Sequence, residues 1–182
     1  MKTRIWLTRT MAASAASVAL VAPAPADALD WFLKIDGIKG ESTDSKHKDE
    51  IAIESFSWGL KGAPAAGGTV GRSSGKACVS DISFTKLADS ATPVLLANAA
   101  SGMSIPKAVL IGRKAGDKPL EFLKIELVNV LVSSVQHSGS TELVQEAFEL
   151  RFGSARVVYT PQAPNGSSGT PIESTIRAST CT

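Results

Sequence analysis

Apolar and polar residues alternate with a period of two along most of this chain, the pattern of strands with one face in a core. Trp31 to Ile35 reads as a strand, closed by the turn signals Asp36-Gly37 and Lys39-Gly40. "STDSKHKDE" (42–50) is a charged loop, and His47 within it is expected to be solvated. In "IAIESFSWGL" (51–60), Ile51 and Ile53 share one phase while Phe56 and Trp58 share the other. A phase slip inside a strand predicts a bulge or a corner. Residues 61–76, "KGAPAAGGTVGRSSGK", have no period. Loops of that length in a compact domain are generally functional or disordered. "ACVSDISF" (77–84), "IPKAVLIGRK" (105–114), "LEFLKIELVNVLVSSVQ" (120–136) and "ELVQEAFELRF" (142–152) return to strand character. Phe148, Leu150 and Phe152 take one face of the last, opposite Gln145, Glu149 and Arg151. "ARVVYTP" follows the break at Gly153-Ser154, and "IESTI" (172–176) is expected as the final strand.

One segment breaks this pattern. After Thr92, a hydroxyl suited to capping, Pro93 fits the first helical turn, and Val94 to Ala100 continue it. Gly102 ends it, because glycine accepts the left-handed conformation that closes a helix. So short a helix does not persist alone in water, and its leucines need a sheet to pack on. The fold class expected is mainly β: a β-barrel of two packed antiparallel sheets with one short flanking α-helix at about 92–101.

The N-terminus changes how charge is read. Lys2, Arg4 and Arg9 precede an uncharged run of small apolar residues, Met11 to Ala22, too short for a membrane span. Ala26-Asp27-Ala28 fits the small-x-small cleavage pattern, with cleavage before Leu29. Residues 1–28 are therefore expected to be a secretory signal peptide, the alternative being an amphipathic or disordered tail, and residues 29–182 a single domain. The signal carries three basic residues and one acid, so the net +2 of the chain belongs to it and the mature part is neutral. No basic surplus remains for a phosphate backbone, so nucleic acid is not an expected partner, and no later stretch suits stable membrane insertion. After export, an even count of two cysteines suggests a disulfide between Cys78 and Cys181, the alternative being two unpaired thiols. Two cysteines and two distant histidines do not make a zinc site, and no metal or cofactor is expected.

Catalytic motifs are weak. Gly71-Arg72-Ser73-Ser74-Gly75 matches the nucleophile-elbow pattern of serine hydrolases, but it lies in the Gly/Ala loop without the strand-to-helix turn that pattern needs. His137 would be the base, and it sits in an expected turn with no evident orienting acid. "VGRSSGKA" misses a phosphate loop at Val70 and Ala77. Glu121, Glu126, Glu146 and Glu149 fall on strand patterns and are expected to point outward. Asn165-Gly166-Ser167 meets the N-glycosylation pattern, a frequent chance match. The expectation is a protein without enzymatic activity.

Several segments together resemble the Hcp (haemolysin-coregulated protein) family, the tube proteins of type VI secretion. They are "FLKIDGIKGEST", "ESFSWG" (54–59), "DISFTKLADSATPVLLANAASG" (81–102), "IGRKAG" (111–116), "LVSSVQHSG" (131–139) and "VVYTPQ". The resemblance runs from about Trp31 to Tyr159 and rests on order and spacing. It implies a homo-oligomeric ring, usually of six subunits, that stacks into a hollow tube driven by a contractile sheath and able to carry an effector protein in its lumen. It also implies that the loop at 61–76, with Lys61, Gly67, Gly68, Arg72 and Lys76, contributes to contacts between subunits or rings. Two departures stand out: the signal peptide, and the divergent tail 162–182 with its Cys181. They leave a second expectation, a secreted Hcp-like binding module outside any contractile machine, as a monomer or single ring. A hydrolase using Ser73 is the third.

Overall fold

The computed structural model describes residues 29–61, 78–116 and 119–178. Eleven strands and one helix follow in the order β1 (Leu29–Ile35), β2 (Ile51–Ile53), β3 (Ser55–Ser57), β4 (Leu60–Lys61), β5 (Cys78–Val79), β6 (Ile82–Leu87), α1 (Thr92–Ser101), β7 (Ile105–Lys114), β8 (Leu120–Gly139), β9 (Val144–Arg151), β10 (Ser154–Tyr159) and β11 (Ile172–Arg177). All pairings between them are antiparallel.

Two segments serve both sheets. The first half of β8 lies between β7 and β10, and its second half turns to pair with β9. The first sheet is thus β2-β1-β7-β8-β10-β11 and the second is β8-β9-β6-β3, with β4 and β5 as a separate two-stranded ribbon. β8 bends where Asn129 takes a left-handed backbone (φ 55), a conformation asparagine tolerates better than most residues. The Gly153 N–H bonds the carbonyl oxygens of Val128 and Asn129 at this bend. At the other side of the molecule, β2 ends the first sheet and β3 ends the second. They are consecutive in the chain and joined by Glu54, whose N–H bonds the Thr85 carbonyl. The phase slip between Ile53 and Phe56 is therefore a corner. Among the described residues the hydrogen-bonded ladder itself does not close, and this covalent corner joins the two sheets instead.

The core lies between the sheets and includes Leu33, Ile51, Ile82, Phe84, Leu110, Leu127, Phe148 and Leu150, all essentially inaccessible. Phe84 stacks on Phe148, directly across the β6–β9 pair. Gly112 sits under Trp31: a Cβ there would fall 2.3 Å from the indole ring, so only glycine lets the ring lie flat on β7.

The helix occupies the expected residues and ends at Gly102 in the left-handed conformation (φ 63). Its start differs from expectation. Ala91 is the cap residue and makes no side-chain cap bond. Asp89 and Thr92 do the capping between them: the Ala91 N–H donates to Asp89 Oδ1 (2.9 Å), and the Asp89 N–H donates to Thr92 Oγ1 (3.1 Å). Leu95 is buried, while Leu96 is 43% exposed.

Candidate assembly surfaces

A buried ionic cluster fixes the end of the second sheet next to α1. Lys86 and Glu146 face each other across the β6–β9 pair, and neither side chain is accessible. Lys86 Nζ lies 3.1 Å from Glu146 Oε1 and donates to Asp89 Oδ1 (2.6 Å), Thr92 Oγ1 (3.1 Å) and the Leu87 carbonyl (3.1 Å). One ammonium thus ties β6, β9 and the start of the helix together. His137, opposite Glu146 in the β8–β9 register, places Nε2 2.7 Å from Glu146 Oε2.

This arrangement corrects two expectations. Glu146 points inward, because it shares the phase of Phe148 and Leu150. His137 belongs to β8, not to a turn, and does have an acidic partner. The pair is still not a nucleophile–base arrangement: among the described residues no hydroxyl or thiol is hydrogen-bonded to His137. Ser73 lies outside the described residues.

The loop at 42–50 is also more anchored than its charge suggests. His47 is buried (3% exposed), stacks on Phe32 with ring centroids 4.3 Å apart, and holds Glu50 through Nδ1 at 3.0 Å. Arg113 lies over the Phe32 ring at 4.9 Å and donates to Asp30 (2.9 Å) and Asp44 (2.7 Å). The Arg113 guanidinium, aided by the backbone N–H of Lys46, holds the Asp44 carboxyl well below the usual carboxylate range.

The outer face of the first sheet is charged. Glu126 receives Lys124 Nζ (2.8 Å), Arg156 (3.2 Å) and Lys107 (3.5 Å). Lys124 foremost, then Arg156, brings the Glu126 carboxyl down to about 2. Arg156 is raised above its ordinary value, first by Glu173 and then by Glu126, and so links β8, β10 and β11. Glu149, on the second sheet, accepts a bond from Ser83.

Among the described residues β11 pairs only with β10, and Ile172 at its start is 68% exposed. Unpaired strand edges are templates for another chain. The 61–76 loop leaves from Lys61, exposed at the end of β4 and paired with Cys78. Of the residues expected to matter for assembly, Gly67, Gly68, Arg72 and Lys76 lie outside the described residues, as do the cleavage-site residues Ala26 and Ala28; Leu29 is the first residue of β1. Cys78 is half-buried, no described cysteine is a free thiol, and Cys181 lies outside the described residues. Among the described residues no cluster of three or more His, Cys, Asp or Glu could hold a metal ion, and no helix is long and apolar enough to cross a membrane.

Comparison with known proteins agrees with the fold. The family model described as "Type VI secretion system effector, Hcp" matches residues 32–159, from β1 through β10. Protein hcp1 of Pseudomonas aeruginosa is 41% identical over 150 residues, covering 80% of this chain and 93% of that protein. The crystal structure of Hcp1 from Salmonella typhimurium superposes with a TM-score of 0.67 at 37% identity, over 82% of this chain and 94% of that one. A structure described as a type six secretion system protein reaches a TM-score of 0.73 at 35% identity, over 80% and 92%. The chain belongs to the Hcp family, the tube subunits of type VI secretion.

Proposed function

We propose that this chain works by self-assembly. Copies join into a closed ring, with six as the expected number, the rings stack into a tube, and the lumen carries an effector protein. The observation that carries this reading is the family match, which spans both sheets and the helix rather than a single motif. The edge of β11, which no other described strand covers, and exposed apolar residues such as Val128, Tyr159 and Ile172 support it, since an assembly can cover both. A ring of this kind joins two different patches on each subunit and closes only when the rotation closes. Nothing in this mechanism calls for a catalytic group, so the protein is read as a non-enzyme that needs no cofactor.

Membership in a family of type VI secretion effectors places the chain among secreted proteins. We take its export to begin with residues 1–28 as a cleaved signal peptide, and Cys78 to pair with Cys181 after export. Those two features favour the second reading, a secreted binding module acting as a monomer or single ring outside a contractile machine.

Light scattering on a sizing column, with electron microscopy of the main peak, tests the choice. It is run on the mature chain from Leu29, with and without reductant. Closed rings of uniform size support the tube subunit, and stacks of them complete the case. A monomer that persists at high concentration overturns it in favour of the binding module. An intact N-terminus on cell-associated protein would sink the proposed cleavage, whatever the ring result.

A further inference from the structure

The turn between β10 and β11 holds the one asparagine in the chain that a glycine follows. Asn98 and Asn129 precede Ala99 and Val130, whereas Asn165 precedes Gly166. Ala163-Pro164-Asn165-Gly166 has the make-up of a β-turn, with proline second and glycine fourth. The structure forms that turn: the Gly166 N–H donates to the Ala163 carbonyl (2.8 Å), and Gly166 takes a positive φ of 81°. Pro164, Asn165, Ser167 and Ser168 are all exposed.

An asparagine amide in this position can react with its own backbone. Attack of the Gly166 nitrogen on Asn165 Cγ closes a cyclic imide. The N–Cγ bond forms, the Cγ–Nδ2 bond breaks, and the Gly166 proton leaves with Nδ2 as ammonia. Water then opens the imide at either carbonyl, which gives aspartate or isoaspartate. The sum is amide plus water to carboxylic acid plus ammonia, and water is the sole co-reactant. Glycine favours this step twice: it has no side chain to shield its nitrogen, and it accepts backbone rotations that other residues resist.

Ser167 prepares the carbonyl for attack. Its N–H (3.0 Å) and its hydroxyl (2.7 Å) both donate to Asn165 Oδ1. Donors on that oxygen draw electrons from Cγ and stabilise the negative charge that develops there as the ring closes. The Gly166–Ala163 hydrogen bond works the other way, because it ties up the attacking nitrogen. The turn must therefore open first, and a surface turn outside the ladder opens far more often than the core.

The product changes what the turn can hold. Isoaspartate routes the main chain through its Cβ and so lengthens the backbone between positions 165 and 166. Two hydrogen bonds span this stretch, from the Ala163 N–H to the Ser167 carbonyl (2.8 Å) and from the Gly169 N–H to the Pro161 carbonyl (2.7 Å), together with the Gln162–Ser168 bridge. A longer chain inside those pairs cannot keep them all. They set the approach to β11, which among the described residues pairs only with β10.

We propose that Asn165 is a site of spontaneous deamidation, promoted by Gly166 and Ser167, and that its conversion to isoaspartate loosens the edge strand β11. The inference stands apart from the ring reading and does not depend on it.

The test is to warm the full chain at mildly alkaline pH in heavy-oxygen water, digest it at acidic pH and analyse the peptides by mass spectrometry. Asn165 is expected to become an acid carrying one solvent oxygen, mostly as isoaspartate, which an isoaspartyl methyltransferase labels. Asn98 and Asn129 in the same digest are expected to remain amides. Asn165→Gln, whose longer side chain disfavours the ring, is expected to stay unconverted. Ser167→Ala is expected to slow conversion roughly threefold or more. Converted chains carry an added negative charge and separate by anion exchange; their amide exchange across Ile172–Arg177 is expected to be at least about threefold faster. An Asn165 that stays an amide while a synthetic peptide of residues 160–171 converts overturns the proposal, because the folded turn then protects it. Equal conversion at Asn98 or Asn129 also overturns it, since the turn would confer nothing. A Ser167→Ala rate equal to wild type overturns the part given to Ser167, and unchanged exchange in β11 overturns the loosening.

Discussion

Replacing Lys86 with methionine removes the ammonium on which four oxygens converge: Glu146 Oε1, Asp89 Oδ1, Thr92 Oγ1 and the Leu87 carbonyl. The methylene stem keeps its packing, so the change isolates the charge. What remains is Glu146, wholly buried, with His137 as its one other ionic partner among the described residues. Removing one partner of a buried pair typically costs about 3–5 kcal/mol, because the surviving charge has neither water nor a counter-charge. For a domain of this size that corresponds to a fall in Tm of roughly 10 °C. Urea unfolding at neutral pH, followed by the fluorescence of Trp31 and Trp58, measures it; both indoles pack against the core. The midpoint should fall with little change in the m-value. Glu146→Gln in the same chain should return at least about 1 kcal/mol, since the double variant no longer strands a carboxylate. A loss below about 1 kcal/mol for Lys86→Met, or no coupling between the two sites, would refute the reasoning.

Glu126 makes stability depend on acid. Its folded value, near 2, lies below its ordinary one near 4.5, so its contribution is complete above about pH 4.5 and is lost as pH falls towards 2. Lys124→Met should flatten that part of the stability–pH curve, and an unchanged slope would show that Lys124 is not the main cause. Gly112→Ala forces the Trp31 ring aside and should cost about 1–3 kcal/mol with a changed near-ultraviolet circular dichroism signal; a native spectrum would mean the ring has room the structure does not show. If Cys78 and Cys181 pair, reduction or Cys78→Ser should cost about 4–5 kcal/mol by chain entropy alone, and a denaturation curve indifferent to reductant would count against the bond.

Much of this was legible in the sequence. The period-two runs predicted the strands, because a strand buried on one face must alternate. Proline in the first turn and Gly102 at the end bounded the helix, since each suits a backbone geometry few other residues accept. The phase slip between Ile53 and Phe56 predicted a bulge or a corner, and the structure has a corner there. The order of the Hcp-like segments identified the family before any contact was known.

What only the tertiary structure decided is where the charged residues go. Lys86 follows Ile82 and Phe84 on the inward phase, and Glu146 precedes Phe148 and Leu150 on theirs. A charge on an inward phase is tolerable only beside a partner, and whether one exists depends on the register between strands about sixty residues apart. His47 read as solvated because its neighbours in the chain are charged; its neighbours in space are Phe32 and Glu50. The division of β8 between two sheets was hidden for the same reason. A continuous β-branched run states that a strand exists, but the strands that flank each half are chosen by packing across the whole core. The alternation of residues is local and survives in a string of letters, whereas burial, pairing and charge compensation are properties of which distant segments meet.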